Sequence, residues 1–246
     1  MRRRINATAG QKTNVGQNFA KFCPHWNEIP TGIEIPIQEQ ITSAEKIANT
    51  GKRFAEVRRE TAETQIALSL GIDGSGKSSV KTGIGFFDHM LCSFARHGLF
   101  DLSVSAKGDL EIDQHHLVED TGIVLGQAFE KALGDKKGIA RAGCFAFPMD
   151  ETLSLVSIDF GGRAVLNFDA KFSREFIGEL QSDLVKEFYA GFVQGAKCNL
   201  SIRLLYDGND HHKCEGIFKG FARACAQAVE IRKRAEGKLP STKEKI

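Results

Sequence analysis

A short pattern, His-His-x-x-Glu, occurs twice in this chain, as His115-His116-x-x-Glu119 and as His211-His212-x-x-Glu215, with starts 96 residues apart. Each copy opens an apolar-periodic run. The first extends to about Leu133 and stops at Gly134-Asp-Lys-Lys-Gly138, and the second reads as one long helix, His211–Ala235, with Ile217, Phe218, Phe221, Ala224, Cys225 and Val229 as its core stripe. On a helix, the glutamate lies one turn from both histidines, at i+4 and i+3. Adjacent histidines diverge by about 100° and do not easily chelate one ion. Two pairs therefore suggest two metals, each drawing ligands from both copies. Imidazole and carboxylate together suit manganese, zinc or iron. Surface histidines on solvated helix starts would account for one pair, but not for a second with glutamate at the same offset.

The surroundings of the two copies also repeat. In the first half, Thr64–Leu70 alternates as a strand, Asp73-Gly-Ser-Gly76 is turn chemistry, and Ser78–Gly85 reads as the second strand of a hairpin. Phe86–Arg96 follows with helical spacing, then the strand Leu99–Ala106 and the first His-His helix. In the second half, Leu153–Phe160 and Ala164–Phe168 flank Gly161-Gly162 as a hairpin; next come a helix over Leu180–Gln194, the strand Asn199–Tyr206 and the second His-His helix. Each half thus reads strand, strand, helix, strand, helix. Aligning His115 with His211 sets the helix carrying His89 against the helix carrying Glu187, 26 and 24 residues before the respective pairs. Both side chains ligate metals, so a duplicated chain offers each ion about four ligands.

Composition removes several classes. A net charge of +2 argues against a nucleic-acid binder, and six cysteines without a C-x-x-C signal neither a disulfide framework nor a zinc ribbon. No apolar run approaches the roughly 18 residues that span a bilayer, so no membrane role is expected. Residues 1–27 carry Arg2, Arg3, Arg4, Lys12 and Lys21 without an acid, as a flexible basic tail or an organelle-targeting peptide does. The expected location is the cytoplasm, or a plastid or other organelle if that segment is a targeting peptide. A weak helical pattern covers Gln38 to Arg58. Gly71-Ile-Asp-Gly-Ser-Gly76-Lys77-Ser78 satisfies the phosphate-loop pattern, but that loop works only if a helix begins at the lysine. Here glycines, valine and threonine follow, and a nucleotide-binding reading is the weaker one.

Arg59-x-Thr61-x-Glu63-Thr64, Thr82-Gly-Ile-Gly-Phe-Phe-Asp-His-Met-Leu91, His115-His116-x-Val118-Glu119-Asp120, Gly162-Arg163, Asn209-Asp-His-His-x-x-Glu215-x-x-Phe218-Lys219 and Leu239-Pro-Ser-Thr-Lys243 occur in that order. With these motifs the chain, from about Phe54 to Lys243, resembles imidazoleglycerol-phosphate dehydratases of histidine biosynthesis. The resemblance implies an α+β fold made by internal duplication: half-domains 54–140 and 141–246, each a four-stranded sheet backed by two helices, after an N-terminal extension 1–53. It implies a homo-oligomer of 24 subunits with active sites between neighbours, and two Mn2+ per subunit. The family's metal ligands fall on His89, His115, His116, Glu119, His211, His212 and Glu215, with Glu187 where the family carries histidine. Its catalytic glutamate falls on Glu63, with Glu215 a second candidate, and its phosphate-binding positions on Arg141, Arg163, Lys219, Ser241 and Lys243.

The implied substrate is a phosphorylated imidazole. The implied reaction removes water from its glycerol phosphate side chain to give the acetol phosphate. The proton leaves an unactivated carbon, so Lewis acids on the ring nitrogens must supply the electron sink, a carboxylate must shuttle the proton, and cationic donors must anchor the phosphate. The chain departs from the family at Glu187, at Leu117 beside the first histidine pair, at Cys92-Ser93, at Ser201 and at Glu244. These departures motivate an alternative, a catalytically weakened homologue kept as a metal-binding assembly subunit.

Overall fold

The computed structural model describes residues 53–246. The basic segment 1–27, and all but the end of the helical pattern over Gln38 to Arg58, lie outside the described residues. Two four-stranded sheets share one topology. In the first, β1 (Phe54–Glu60), β2 (Thr64–Gly71), β3 (Ser78–Lys81) and β4 (Asp101–Gly108) run in the order β1-β2-β4-β3. In the second, β5 (Ala142–Met149), β6 (Thr152–Asp159), β7 (Val165–Asp169) and β10 (Asn199–Tyr206) run β5-β6-β10-β7, and β8 (Phe176–Ile177) pairs with β9 (Leu180–Gln181) in a small separate hairpin. In each sheet the last strand in sequence lies inside, parallel to the third and antiparallel to the second. The duplication read from the histidine motifs is therefore built into the topology.

Both expected hairpins are corrected by that order. The strand after Gly76 exists, but it pairs in parallel with β4 rather than with β2. The connecting loop crosses the start of β4, where Asp101 Oδ1 accepts the N–H groups of Ser75 (2.8 Å) and Lys77 (3.0 Å). The same carboxylate rules out the phosphate loop, since it fills the N–H cradle and a strand, not a helix, follows Lys77. The Gly161-Gly162 turn likewise leads to β7 across β10, not beside β6. β1 and β5 did not stand out in the sequence. β1 is charged and buries only Ala55, and it occupies part of the segment that reads as weakly helical. β5 contains Gly143 and Pro148, a proline that an edge strand tolerates. Leu180–Gln181 belong to β9, so the third helix begins at Leu184, and the last one ends at Val229 rather than Ala235.

Four helices, α1 (Gly85–Gly98), α2 (His115–Leu133), α3 (Leu184–Ala196) and α4 (Asp210–Val229), lie between the sheets. α2 covers β1 and β2, α4 covers β5 and β6, and the halves meet where α2 packs on α3 and α1 on α4. The α2–α3 contact is backbone on backbone. A Cβ at Gly122 or Gly126 would lie 2.2 or 2.3 Å from the carbonyl oxygens of Phe188 and Phe192, and one at Gly191 or Gly195 would lie 2.4 or 2.2 Å from those of Glu119 and Ile123. The two helices therefore run in the same direction. At the centre Phe94, Phe129, Phe192 and Phe221, one from each helix, close a ring with centroids 4.8 to 6.1 Å apart.

All four helices begin at one end of the molecule. The β8–β9 hairpin ties α2 to α3 there. Gln114 Nε2 donates to Glu179 O (2.7 Å), and Gln114 Oε1 accepts from Gln181 N (3.1 Å). Gly178 lies against the Phe86 side chain on α1, and the Phe86 ring meets His211 on α4 edge-on at 5.2 Å. None of the helices among the described residues is long and apolar enough to cross a membrane. The five cysteines described are all free.

Gly122→Val should destabilise the protein by about 1–3 kcal/mol or more, because the added carbon meets a carbonyl that cannot move without α3. Gly216→Ala, whose Cβ meets nothing closer than 3.4 Å, should be neutral or stabilising by up to about 1 kcal/mol. Denaturant titration of the two variants distinguishes the signs.

Candidate active site

The helix starts carry most of the side chains that the motifs singled out. His89 from α1 and His211 and Glu215 from α4 bring ligand atoms within 4.8 Å of one another. Glu215 is buried, and its carboxylate is shared between His211 Nε2 (3.1 Å) and Lys219 Nζ (2.6 Å). The His211 hydrogen bond, with Lys219 added, holds its pKa down to about 2 despite burial, so it is an anion at any working pH. Burial lowers the pKa of His89, which favours the neutral imidazole that binds metals. Two imidazoles and one ionised carboxylate at this spacing form a donor set fit for a divalent transition ion.

The duplicate set is more open. His115 and Glu119 lie at the start of α2, Nε2 to Oε2 3.6 Å, with both side chains partly exposed. The glycine contacts place Glu119 beside Gly191, so one turn earlier His115 faces Glu187 on α3, as His211 on α4 faces His89 on α1. Among the described residues the second group with ligand atoms within 4.8 Å is Asp150, Glu151 and His212, not His115, Glu119 and Glu187.

The second histidine of each pair points to a strand turn. His116 Nδ1 is 3.2 Å from both oxygens of Asp109 and 3.7 Å from Glu63 Oε2, and the Asp109 contact raises the His116 pKa. Glu63 is exposed in the β1–β2 turn. That turn is fixed from below: Thr64 Oγ1 donates to Asp120 Oδ2 (2.6 Å), and Asp120 Oδ1 takes Arg59 Nε (2.8 Å). His212 Nδ1 is 3.0 Å from Glu151 Oε2 in the corresponding β5–β6 turn, and Asp150 Oδ2 is 3.4 Å from His212 Nε2. The Asn209 N–H is the main reason that the Glu151 pKa falls to about 2. Asp109, Asp120, Glu151 and Asp159 were absent from the expected site. Asp120 stood inside a quoted motif, but no spacing rule pairs a residue on α2 with one 56 positions away on β2.

The anion-binding candidates divide. Arg141 forks onto Asp159 (Nε–Oδ1 2.6 Å, Nη2–Oδ2 2.9 Å) and donates from Nη1 to Pro240 O (2.9 Å). It borders a cavity of about 380 Å³ with Ser201 and Pro240. A Cβ at Gly162 would lie 2.9 Å from Ile246, so the exposed Arg163 and the tail carrying Ser241 and Lys243 share this end of the second sheet. Lys219 is elsewhere, paired with Glu215 beside the histidines. Leu117 is fully buried against Gly108, so it acts as core.

With the geometry in place, the comparisons decide the family. A family model for imidazoleglycerol-phosphate dehydratase matches residues 82–225. The chain belongs to the imidazoleglycerol-phosphate dehydratase family. Family members are hydro-lyases of histidine biosynthesis, and this chain is a hydro-lyase by that membership. It is 54% identical to the imidazoleglycerol-phosphate dehydratase of Methylobacillus flagellatus over 194 residues, covering 79% of this chain and 98% of the relative. Identity to the Methylorubrum populi dehydratase is 51% over 191 residues, covering 78% and 98%. The Staphylococcus aureus dehydratase crystal structure superposes with a TM-score of 0.66 at 38% identity, covering 73% of this chain and 99% of the other. The Pyrococcus furiosus dehydratase, solved in a ligand complex, gives 0.68 at 33% identity, covering 77% and 100%.

Removing the anchor under the β1–β2 turn tests how Glu63 is held. Asp120→Ala leaves Thr64 Oγ1 without its acceptor and Arg59 without its counter-ion, and should destabilise by about 1–3 kcal/mol. Hydrogen exchange should rise at Thr61–Thr64 first; unchanged protection there would show that the turn holds itself.

Proposed function

We propose that the chain eliminates water from imidazole glycerol phosphate to give imidazole acetol phosphate, at a site built for two manganese ions per subunit and completed between neighbouring copies. The observation that carries this is the convergence of His89, His211 and Glu215 from two helices of different halves. Each ion draws on both half-domains, 54–140 and 141–246: His89, His211 and Glu215 hold one ion and His115, Glu119 and Glu187 the other, with His116 and His212 from adjacent copies. When bound, the ions act as Lewis acids on the imidazole ring.

The remaining work falls to the side chains. Glu63, exposed and 3.7 Å from His116, is free to take the proton from carbon and return it. Glu215 stays ionised, so it serves as ligand rather than proton carrier. Arg141 has five N–H donors and spends three on Asp159 and Pro240, which leaves two for a phosphate, with Arg163, Ser241 and Lys243 beside it. Lys219 supplies charge at the histidine end.

Strand length supports a homo-oligomer. β5 starts at Arg141's neighbour Ala142 and ends at Met149, beside the turn that contacts His212. Eight residues of strand span roughly 24 Å, while the substrate's ring and phosphate are within about 10 Å on ordinary bond lengths. That separation supports a neighbouring copy as the source of Arg141, Arg163, Ser241 and Lys243, with Lys219 already at the histidine end, and an assembly of 24 subunits is consistent with it.

Turnover of imidazole glycerol phosphate by the manganese-loaded particle, with its native mass, tests the proposal. Metal-loaded, assembled protein without turnover would instead support the weakened homologue that Glu187 suggests. Glu63→Gln should lower kcat by at least a hundredfold with mass and metal content unchanged; loss of metal or assembly would count against a purely catalytic Glu63.

A further inference from the structure

Both histidine pairs show one recurring contact that the ligand assignment does not explain. The second histidine of each has its Nδ1 against a carboxylate, Asp109 for His116 and Glu151 for His212. The two carboxylates come from different places. Asp109 follows β4, whereas Glu151 belongs to the β5–β6 turn, whose counterpart in the first half carries Glu63. The contact is therefore not a residue of the duplication. The two halves arrive at it by separate routes.

Glu151 is bound at both oxygens. Oε1 accepts the N–H of Asn209, the residue whose own side chain caps α4, at 2.6 Å, and Oε2 faces His212 Nδ1 at 3.0 Å. A carboxylate only accepts, so this arrangement places the imidazole proton on Nδ1 and leaves the Nε2 lone pair free. Asp150, 3.4 Å from Nε2 on a turn residue with φ +49°, lies on the open side. The trio Asp150, Glu151 and His212 then reads as an orienting device, because both Glu151 oxygens are already turned to the helix cap and the ring.

Resting on the ligand reading above, we infer that Glu151 is a positioning residue: it fixes the tautomer and ring direction of His212 so that Nε2 faces the ion of a neighbouring copy. Glu63, its counterpart, has no backbone N–H on its carboxylate and is left to move protons. The same turn thus supplies a mobile carboxylate in one half and a fixed one in the other.

Glu151→Gln separates positioning from a merely structural role. Its amide oxygen can still take the Asn209 N–H, but its NH2 then faces Nδ1 and drives the proton to Nε2. Full-length assembled wild type, Glu151→Gln and His212→Asn are loaded with manganese and dialysed against graded EDTA, and metal per subunit is counted. The expected result is two equivalents retained by wild type, with one of them held roughly ten- to a hundredfold more weakly in Glu151→Gln and lost in His212→Asn. Glu151→Gln holding both as tightly as wild type, while His212→Asn loses one, would overturn the inference alone. His212→Asn holding both would sink the ligand reading and the inference with it. Loss of helical signal in metal-free Glu151→Gln relative to metal-free wild type would also overturn it, since the side chain would then be holding the fold.

Discussion

The halves are held to one another by a backbone-on-backbone contact between two helices, one from each. Gly122 and Gly126 on α2 and Gly191 and Gly195 on α3 let carbonyl oxygens sit where side chains would otherwise be. With no side chains between them to slip or repack, the two backbones fix one another's register. That register is what sets His115 level with Glu187. It also carries Phe129 and Phe192 to the centre, where the aromatic ring from all four helices joins the α2–α3 pair to the α1–α4 pair. The chemistry at the helix starts is thus placed by contacts made further along the helices, out of reach of any ligand.

The sheets do a different job. Each delivers a turn to the second histidine of its own pair, and the second sheet separates that turn from Arg141 by the length of a strand. A sheet edge of this length keeps Arg141 and its neighbours apart from the imidazoles within the chain, and on the proposed reading it makes association a condition of activity. Arg141 suits that arrangement. Its fork onto Asp159 and its bond to the Pro240 carbonyl fix the guanidinium and the tail together before any phosphate arrives.

What could be read from the sequence was what periodicity and repetition carry. The helices, the inner strands and the duplication all leave 3.6- or 2-residue patterns or a repeated motif, and these predicted the layers correctly. The first strand of each half left none, because β1 buries a single alanine and β5 is interrupted by glycine and proline. Strand order escaped for another reason: a glycine-rich turn followed by a strand looks the same whether the chain doubles back or crosses over. Here the difference lies in Asp101, 24 residues on from Lys77, whose carboxylate holds the crossing loop. The convergence of His89, His211 and Glu215 was in reach of a repeated motif, whereas Asp109, Glu151 and Asp120 act through pairings across 7, 61 and 56 positions that no local pattern encodes.

Duplication supplied two equivalent sets of groups, and the sequence has since made them unlike. The α1–α4 pair has Ser93 and His97 where α3 has Gly191 and Gly195, so it is not glycine-tight, yet it draws His89, His211 and Glu215 together. The α2–α3 pair is tight, yet its carboxylate Glu187 stands where the other half has an imidazole. On the proposed reading one set carries one carboxylate and the other two, so the second would favour a harder ion and tolerate less added negative charge. The same divergence appears in the turns, where Glu151 is bound at both oxygens and Glu63 at neither by the backbone. A reaction that needs a ring held still and a proton moved has use for both: symmetry gives the substrate two similar walls, and its local failure gives each wall a separate task.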